Sequence, residues 1–393
     1  MKKQTIAINT PYVRPDVYGS LAVPIYNNVA FEFQDAQEMA DAFCNRIKAP
    51  DYARVENPTV TNLEQRVKAL TSAEHVTAFN SGMAAISNTL LAVAEQKKNI
   101  VTTHHLFGNT LALISKTLNR YGVEPRFCDL TNLQAVEDAI DENTCCLFLE
   151  VLTNPQLEVA DLQSLAEIAH KKAIPLIVDS TAIPFTETSL KQLGVDIEVV
   201  SSTKYISGGG TSLGGLVIDY GTFPAINQRI KYELLFNLGA YMTPQAAYMQ
   251  TLGLETLDVR YQRQASNAQK IAETLKEQSA IHHVNYIGLK DNPYYTLARK
   301  QFNSTSGAML TIDLASKEAC FRFLNKLQLV HRATNLFDNR TLAIHPASTI
   351  FGLFSEEQLK AMDVRQTTIR LSIGLENTED IINDIIQALQ DDL

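Results

Sequence analysis

Apolar and polar positions along the chain follow two rhythms. Short apolar runs such as "HVTAF" at 75–79 and "IEVV" at 197–200 predict buried strands. Between such runs, segments such as "DLQSLAEIAHKKA" at 161–173 place their apolar residues on one helical face. Another helix is expected after residue 60, where Thr61 and Glu64 have the spacing of a capping box. Apolar strands separated by amphipathic helices indicate an α/β fold with a mainly parallel sheet covered on both faces.

Changes in this rhythm predict three units. Residues 1–50 carry scattered turns and are expected to form an N-terminal arm, and residues 51–243 hold the alternating strands and helices of an α/β domain. At Thr243 the pattern changes, because this residue can cap a helix and Pro244 suits the first helical position. Residues 244–393 therefore predict a smaller C-terminal α+β domain.

Composition argues against several classes of protein. Asp and Glu number 43 against 34 Lys and Arg, for a formal charge of -9, which should repel nucleic acid phosphates. The longest apolar stretches are too short to span a bilayer. The start "MKKQTIAINTPYVRPD" lacks the apolar core of a secretory signal, and the 5 cysteines show no CxxC spacing. We therefore expect a cytoplasmic protein, and we expect no metal site, because the paired histidines lack a ligand pattern.

One lysine stands in an unusual setting, "SSTKYISGGGTSLGG" at 201–215. The glycines do not fit GxGxxG, because Leu213 occupies the last glycine position, and no Lys-Ser/Thr pair follows them as in a Walker A loop. The segment follows a predicted strand, and three other predicted strands also end in polar or glycine-containing segments. Ligands bind at the carboxyl ends of parallel strands, so these segments can converge on one site.

The convergent segments contain the parts of a pyridoxal phosphate site. The segment "SGMAAI" opens a helix whose free N–H groups suit a phosphate, although a plain capping turn would have the same sequence. Ser201 and Thr203 add hydroxyl groups. Asp179, at the end of a strand, is either a solvated cap or the partner of a buried cation. Pyridoxal 5′-phosphate needs such a carboxylate, a phosphate cup and a lysine, and Lys204 supplies the last.

Longer stretches carry a family resemblance. In chain order they are "YARVENPT", "FNSGMAAI", "HLFGNT", "EVLTNP", "VDSTAIP", "SSTKYISGGGT", "LGLETLDVR", "HPAST" and "IRLSIGLE". With these stretches the chain resembles the Cys/Met-metabolism family of pyridoxal-phosphate-dependent trans-sulfuration enzymes over nearly its whole length. The resemblance implies the fold of the pyridoxal-phosphate-dependent transferases, which is aspartate aminotransferase-like and called fold type I.

The resemblance also implies roles for individual residues. Lys204 is expected to form the Schiff base with the cofactor and to move protons between substrate carbons, while Asp179 keeps the pyridine nitrogen protonated. Arg370 is expected to bind the substrate α-carboxylate in a bidentate fork, assisted by Asn335. The other residues expected to contact the cofactor are Tyr52, Arg54, Gly82, Met83, Phe107, Asn154, Thr181, Ser201 and Thr203.

Within that set, the implied contacts differ. The phosphate cup is expected from the backbone at Gly82 and Met83 with the hydroxyls of Ser201 and Thr203, and Asn154 is expected near the ring hydroxyl. Tyr52 and Arg54 match residues that reach the phosphate of a neighbouring subunit. The resemblance therefore implies a homo-oligomer with shared active sites, usually a tetramer built from two dimers.

Three positions depart from the family pattern. Phe107 replaces the usual tyrosine, so its ring can stack on the pyridine but cannot donate a proton, and Asn109 replaces the cysteine of methionine γ-lyases. Gly209 stands at the place of a family histidine, a change for which the sequence offers no explanation.

These departures bear on the reaction. A thiol has a pKa of about 8.5 and a carboxylic acid one of about 4, so acetate leaves without a proton more readily than a thiolate. The run from Asn237 to Arg260 also looks more like the O-acetylhomoserine sulfhydrylase branch. We therefore expect γ-replacement on O-acetylhomoserine by sulfide or a small thiol. The alternatives are cystathionine γ-synthase, a methionine or cystathionine lyase, a catalytically silent binder of pyridoxal phosphate, and a Rossmann-type protein whose lysine is incidental.

Overall fold

The apolar runs lie side by side in one large sheet. The computed structural model describes residues 1–10, 16, 18–94, 98–303 and 305–390. Within these residues, seven strands form the large sheet and five form a smaller one. The strands of the large sheet are β1 His75–Phe79, β2 Asn99–Thr102, β3 Glu124–Phe127, β4 Thr144–Glu150, β5 Leu176–Asp179, β6 Ile197–Val200 and β7 Gly215–Asp219. Those of the smaller sheet are β8 His283–Asn285, β9 Met309–Asp313, β10 His331–Arg332, β11 Leu342–Ile344 and β12 Thr368–Ser372.

Helices flank both sheets. Those that precede β8 are α1 Lys3–Asn9, α2 Ala36–Phe43, α3 Pro58–Thr71, α4 Gly82–Val93, α5 Gly108–Ala112, α6 Leu133–Ala139, α7 Leu162–Lys171, α8 Pro224–Gln228, α9 Phe236–Leu238, α10 Pro244–Glu255 and α11 Leu257–Leu275. The later ones are α12 Tyr295–Gln301, α13 Lys317–Lys326, α14 Glu356–Ala361 and α15 Thr378–Leu389. Two π-helical segments, Leu113–Leu118 and Arg229–Leu235, continue α5 and α8, and short 3₁₀ turns cover Leu190–Leu193 and Pro346–Ser348. None of the described helices is long and apolar enough to cross a membrane.

The order of strands in the large sheet is β1-β7-β6-β5-β4-β2-β3. All neighbours pair in parallel except β7, which is antiparallel to β1 and β6. Side chains of one strand alternate between two apolar layers: Leu176 and Val178 enter one, and Ile177 enters the other. The predicted mainly parallel sheet with covered faces and the smaller second sheet are therefore confirmed.

The smaller sheet has the order β10-β11-β12-β9-β8. Here the central strands pair antiparallel, and only β10 and β11 run in parallel. One face packs on α11, α13 and α15, whose apolar residues form a separate cluster with those of β9 and β12. The three unit bounds, 1–50, 51–243 and 244–393, stay a prediction.

Local signals at helix starts gave one right and one wrong prediction. Thr243 caps α10 by accepting from the Ala246 N–H, and Pro244 is the first residue of that helix. The capping box at Thr61 and Glu64 is wrong, because α3 already begins at Pro58 with Asn57 as its cap. The Glu64 carboxylate instead accepts from the Ala78 N–H at 2.9 Å.

Candidate active site

Two buried carboxyl groups meet at the carboxyl edge of the large sheet. Glu150 ends β4 and Asp179 ends β5, and the two residues are register partners in neighbouring parallel strands. Each residue is only 8% exposed. Burial raises the pKa of both carboxyl groups, and the charge of Asp179 raises the pKa of Glu150 further. A cation placed against Asp179 would stabilise its ionised form.

A chain of contacts runs from Asp179 to the start of α4. The Thr181 N–H donates to Asp179 Oδ1 at 2.9 Å, and the Thr181 hydroxyl oxygen accepts from the Ser201 N–H at 2.8 Å. Ser201 lies directly against Gly82, where a Cβ would come within 2.6 Å of the Ser201 Cβ. The N–H groups of Gly82 and Met83 have no partner within the helix, because they lie in its first turn. These groups form a cradle that suits a phosphate.

Phe107 lies beside the carboxyl pair. Its backbone N–H donates to Glu150 Oε1 at 2.5 Å, and its side chain is half-buried. The helix α5 begins at the next residue, and its Thr110 hydroxyl donates to Met83 Sδ at 3.9 Å. Glu150 therefore holds the backbone of Phe107 at the start of α5, close to the carboxyl pair.

Lys204 follows β6 and points toward the smaller sheet. Its Nζ donates to Asn335 Oδ1 at 2.9 Å. Burial and, to a smaller extent, the charge of Arg370 lower the pKa of this amine to about 8, while the carboxylate of Asp338 opposes both effects. An open cleft of about 730 Å³ borders the amine, lined by residues of the lysine loop and of the segment 331–342. A neutral amine is therefore accessible near neutral pH.

Arg370 provides a buried cation on the same side. It lies on β12, is 2% exposed, and burial lowers its pKa to about 9. Its Nη1 donates to Asn154 Oδ1 at 3.0 Å, and its Nη2 donates to the Asn335 carbonyl at 3.3 Å. Its Nε has no hydrogen-bond partner within the described residues. A buried guanidinium with a free donor suits a carboxylate ligand.

Three predicted residues have other contacts. The Thr203 hydroxyl is engaged with the backbone of Gly214, donating to its carbonyl at 3.2 Å and accepting from its N–H at 3.0 Å. Arg54 donates through Nη1 to the Phe236 carbonyl at 2.5 Å and lies over the ring of Tyr52. The described contacts of Arg54 thus lead to α9, and Tyr52 forms a backbone bridge with Ala30; none of these contacts reaches the phosphate cradle.

Two residues of the site were missed by sequence reasoning. Glu150 stands at the end of an apolar strand, as Asp179 does, and this shared position was the available signal. Asp338 lies in a polar segment with no strand or helix pattern, only three residues after Asn335, and the fold brings this segment to Lys204.

Comparison with known proteins identifies the family. A family profile described as Cys/Met metabolism PLP-dependent enzyme matches residues 4–390. The chain belongs to this family. It is 39% identical to the L-methionine gamma-lyase of Fusobacterium nucleatum, with 99% of both chains covered. It is 33% identical to the O-acetyl-L-homoserine sulfhydrylase of Corynebacterium glutamicum, over 92% of this chain and 91% of the relative.

A solved structure gives the same assignment. A Campylobacter jejuni chain described as an O-acetylhomoserine (thiol)-lyase superposes with a TM-score of 0.95 at 35% identity, covering 99% of this chain and 100% of that one. That structure contains a lysine joined to pyridoxal phosphate. The protein is therefore a pyridoxal-phosphate-dependent enzyme of fold type I.

The residues present fit this cofactor. A Cβ at Gly82 would come within 2.6 Å of the Ser201 Cβ and 2.7 Å of its hydroxyl oxygen, so glycine at this position lets the start of α4 lie directly against Ser201. Helix N–H groups and a hydroxyl group are thereby brought together, which suits a phosphate. Asp179 is a buried carboxylate that a protonated pyridine nitrogen would neutralise. Lys204 offers an amine whose lowered pKa favours attack on a carbonyl.

Proposed function

We propose that the protein catalyses γ-replacement on O-acetyl-L-homoserine, with sulfide or a small thiol as the second substrate. The products are homocysteine, or methionine when the thiol is methanethiol, together with acetate. Within the family, sulfhydrylases and a methionine γ-lyase are similar to this chain, so the choice of reaction rests on the site itself.

The described residues divide the work. Pyridoxal phosphate, when bound, supplies a carbonyl for the substrate amine and a ring that withdraws electrons from the substrate carbons. Gly82, Met83 and Ser201 would hold its phosphate, and Asp179 would pair with its ring nitrogen. Arg370 would bind the substrate α-carboxylate through its free Nε, and its contact with Asn154 fixes the guanidinium in place.

Lys204 would move protons at the substrate carbons. Its amine has a pKa of about 8, so near neutral pH an appreciable fraction is neutral and able to accept a proton. It would take protons from the α and β carbons, after which acetate leaves from Cγ and the sulfur of the second substrate bonds there. It would then return protons to the β and α carbons. The reaction balances, because the ester and hydrogen sulfide give a thiol and acetic acid, whereas the ester and a thiol give a thioether and acetic acid.

The observation that carries the choice of reaction is Phe107. The family position usually holds tyrosine, whereas here the ring beside Glu150 has no hydroxyl group. A leaving thiolate needs a proton far more than acetate does, since the pKa values of their acids are about 8.5 and about 4. A site without this acid is therefore better suited to ester substrates than to methionine or cystathionine.

Elimination is the second candidate. The 39% identity to a methionine γ-lyase favours it, and Lys204 could deliver the proton that Phe107 cannot. A product assay decides between replacement and elimination.

Purified enzyme is supplied with O-acetylhomoserine plus sulfide, and in parallel with methionine alone or cystathionine alone. Homocysteine and acetate as the main products support replacement, whereas faster 2-oxobutyrate formation from methionine or cystathionine would identify a lyase.

We further propose that the active unit is an oligomer with shared sites. Tyr52 is 42% exposed although it is aromatic, and Leu238 and Tyr241 nearby are 58% and 37% exposed. An apolar surface of this kind next to Arg54 suits a subunit interface. Light scattering measures the assembly, and we expect a tetramer made of two dimers.

A further inference from the structure

A continuous set of hydrogen bonds joins Lys204 to the surface of the cleft. Lys204 Nζ donates to Asn335 Oδ1, and Asn335 Nδ2 donates to Asp338 Oδ2 at 3.1 Å. Asp338 is held from the other side by Arg340, whose Nε and Nη2 donate to its two oxygens at 2.7 and 3.1 Å. Asp338 is 4% exposed, whereas the side chain of Arg340 is 56% exposed.

The donors and acceptors in this hydrogen-bonded set fix which way the Asn335 amide faces. A side-chain amide can turn either its oxygen or its NH₂ group toward a neighbour, and only the oxygen accepts a hydrogen bond. A carboxylate is an acceptor only, so Asp338 takes the NH₂ group of Asn335 and leaves the oxygen for Lys204. Without Asp338, both orientations of the Asn335 amide become available, and one of them turns donors toward the lysine amine.

The glycine residues that follow Lys204 allow its loop to lie close to Asp338. Gly210 has a φ of +65°, and a Cβ there would come within 2.5 Å of Asp338 Oδ2. Arg340 Nη2 also donates to the Gly209 carbonyl at 2.9 Å. A Cβ at Gly209 would meet nothing closer than 3.7 Å. Of these two glycines, only Gly210 is therefore required for contact between the lysine loop and Asp338.

We propose that Asp338 is a positioning residue for Lys204: braced by Arg340, it orients the Asn335 amide so that its oxygen receives the lysine amine whenever that amine is free. Asp338 does not contact the reacting atoms in this proposal and acts through Asn335. The proposal builds on Lys204 being the cofactor lysine, but it holds for replacement and for elimination alike.

The test measures the amine directly, in the full-length chain freed of cofactor. Lys204 is reductively methylated with formaldehyde and cyanoborohydride over a series of pH values, and its extent of modification is followed by peptide mass spectrometry. The midpoint reports the pKa of the amine. The charged groups that face this amine are Arg370 on β12 and Asp338, with Arg340 behind the latter.

Asp338→Asn should lower the midpoint for Lys204 by about 0.5–1 pH unit, because the protonated amine loses an oriented acceptor and a nearby negative charge. In an Asn335→Ala background, the same substitution should shift the midpoint by less than half as much. Asp313→Asn serves as the control, since Asp313 also pairs with an arginine, Arg365, on the smaller sheet. It should leave the midpoint unchanged.

The glycines supply an independent pair of variants. Gly210→Ala should displace Asp338 and lower the midpoint, whereas Gly209→Ala should leave it near that of the wild-type chain. Circular dichroism checks whether each variant is folded. If Gly210→Ala does not fold, the proposal is still tested by comparing the effect of Asp338→Asn in the wild-type chain with its effect in the Asn335→Ala background. No shift in Asp338→Asn, an equal shift in the Asn335→Ala background, or an equal shift in Asp313→Asn would each overturn the proposal.

Discussion

The two sides of Lys204 are built in different ways. On the side of the large sheet, Asp179, Thr181, Ser201 and Gly82 are joined by backbone register and short contacts at the ends of adjacent strands. On the side of the smaller sheet, Arg370 and Asn335 meet Asn154 and Lys204 across 216 and 131 residues of sequence. The first side is held in place by neighbouring strands of one sheet, whereas the second side depends on how the two sheets pack together.

This difference suggests that the two sides have separate roles, which experiments can test. The large-sheet side should govern retention of the cofactor, and the smaller-sheet side should govern binding of substrate. Substitutions on one side should leave the property of the other side unchanged.

The largest effect is expected at the lysine between the two sides. Lys204→Ala should abolish turnover while the protein stays folded, because the amine serves both as covalent anchor and as proton carrier. Steady-state assays and circular dichroism check the two halves of this statement. Lys191→Ala is a matched control, since the exposed Lys191 amine donates to the Ser72 carbonyl and lies over the Tyr220 ring, neither of which belongs to the candidate site. Activity in Lys204→Ala together with normal visible absorbance of bound cofactor would contradict the assignment.

A large effect on substrate alone is expected at Arg370. Arg370→Ala should raise KM by about 30- to 900-fold, which corresponds to a loss of about 2–4 kcal/mol from a charge-assisted pair. The absorbance of bound cofactor should not change. Arg370→Lys is the control, because it retains the charge but not the planar guanidinium group. Its KM should lie between those of the wild-type enzyme and Arg370→Ala. Loss of cofactor in Arg370→Ala would show that the two sides are not separable.

A smaller, selective effect is expected at Phe107. Phe107→Tyr should raise elimination from methionine or cystathionine by about 10²-fold, because a general acid then stands beside the leaving thiolate. Replacement on the acetyl ester should change little. The ratio of the two rates is compared with that of Phe321→Tyr, which adds a hydroxyl to an exposed ring on α13. High lyase activity in the wild-type enzyme with no gain in Phe107→Tyr would favour the lyase alternative.

The smallest effect concerns a neighbouring subunit. If Tyr52 and Arg54 serve a site in the partner chain, co-expression of Arg54→Ala with Lys204→Ala should produce mixed dimers with one native site. Random assortment would then restore about a quarter of wild-type activity. Each variant expressed alone is the control. Lack of recovery despite proven mixing would mean that Arg54 acts within its own chain or has no role at the site.

The regularity of the apolar patterns explains which elements of the fold could be predicted from the sequence. Strands β1 and β6 were predicted with their observed bounds, because their apolar patterns are regular and polar residues follow them. Strands β3 and β7 were missed. β3 is a short edge strand with a proline, and β7 begins at a glycine and pairs antiparallel within a mostly parallel sheet.

The sequence by itself determined the alternating architecture and the family to which the chain belongs, and it predicted that a cofactor binds at the ends of the parallel strands. These features depend on periodic side-chain patterns and on contiguous motifs, which are local properties of the chain. Only the tertiary structure decided that Glu150 pairs with Asp179, that Arg370 keeps one donor free, and that Asp338 reaches the lysine through Asn335. Glu150 and Asp179, Arg370 and Asn154, and Lys204 and Asn335 lie far apart in sequence and meet only when the sheets form and pack, so no local pattern encodes these contacts.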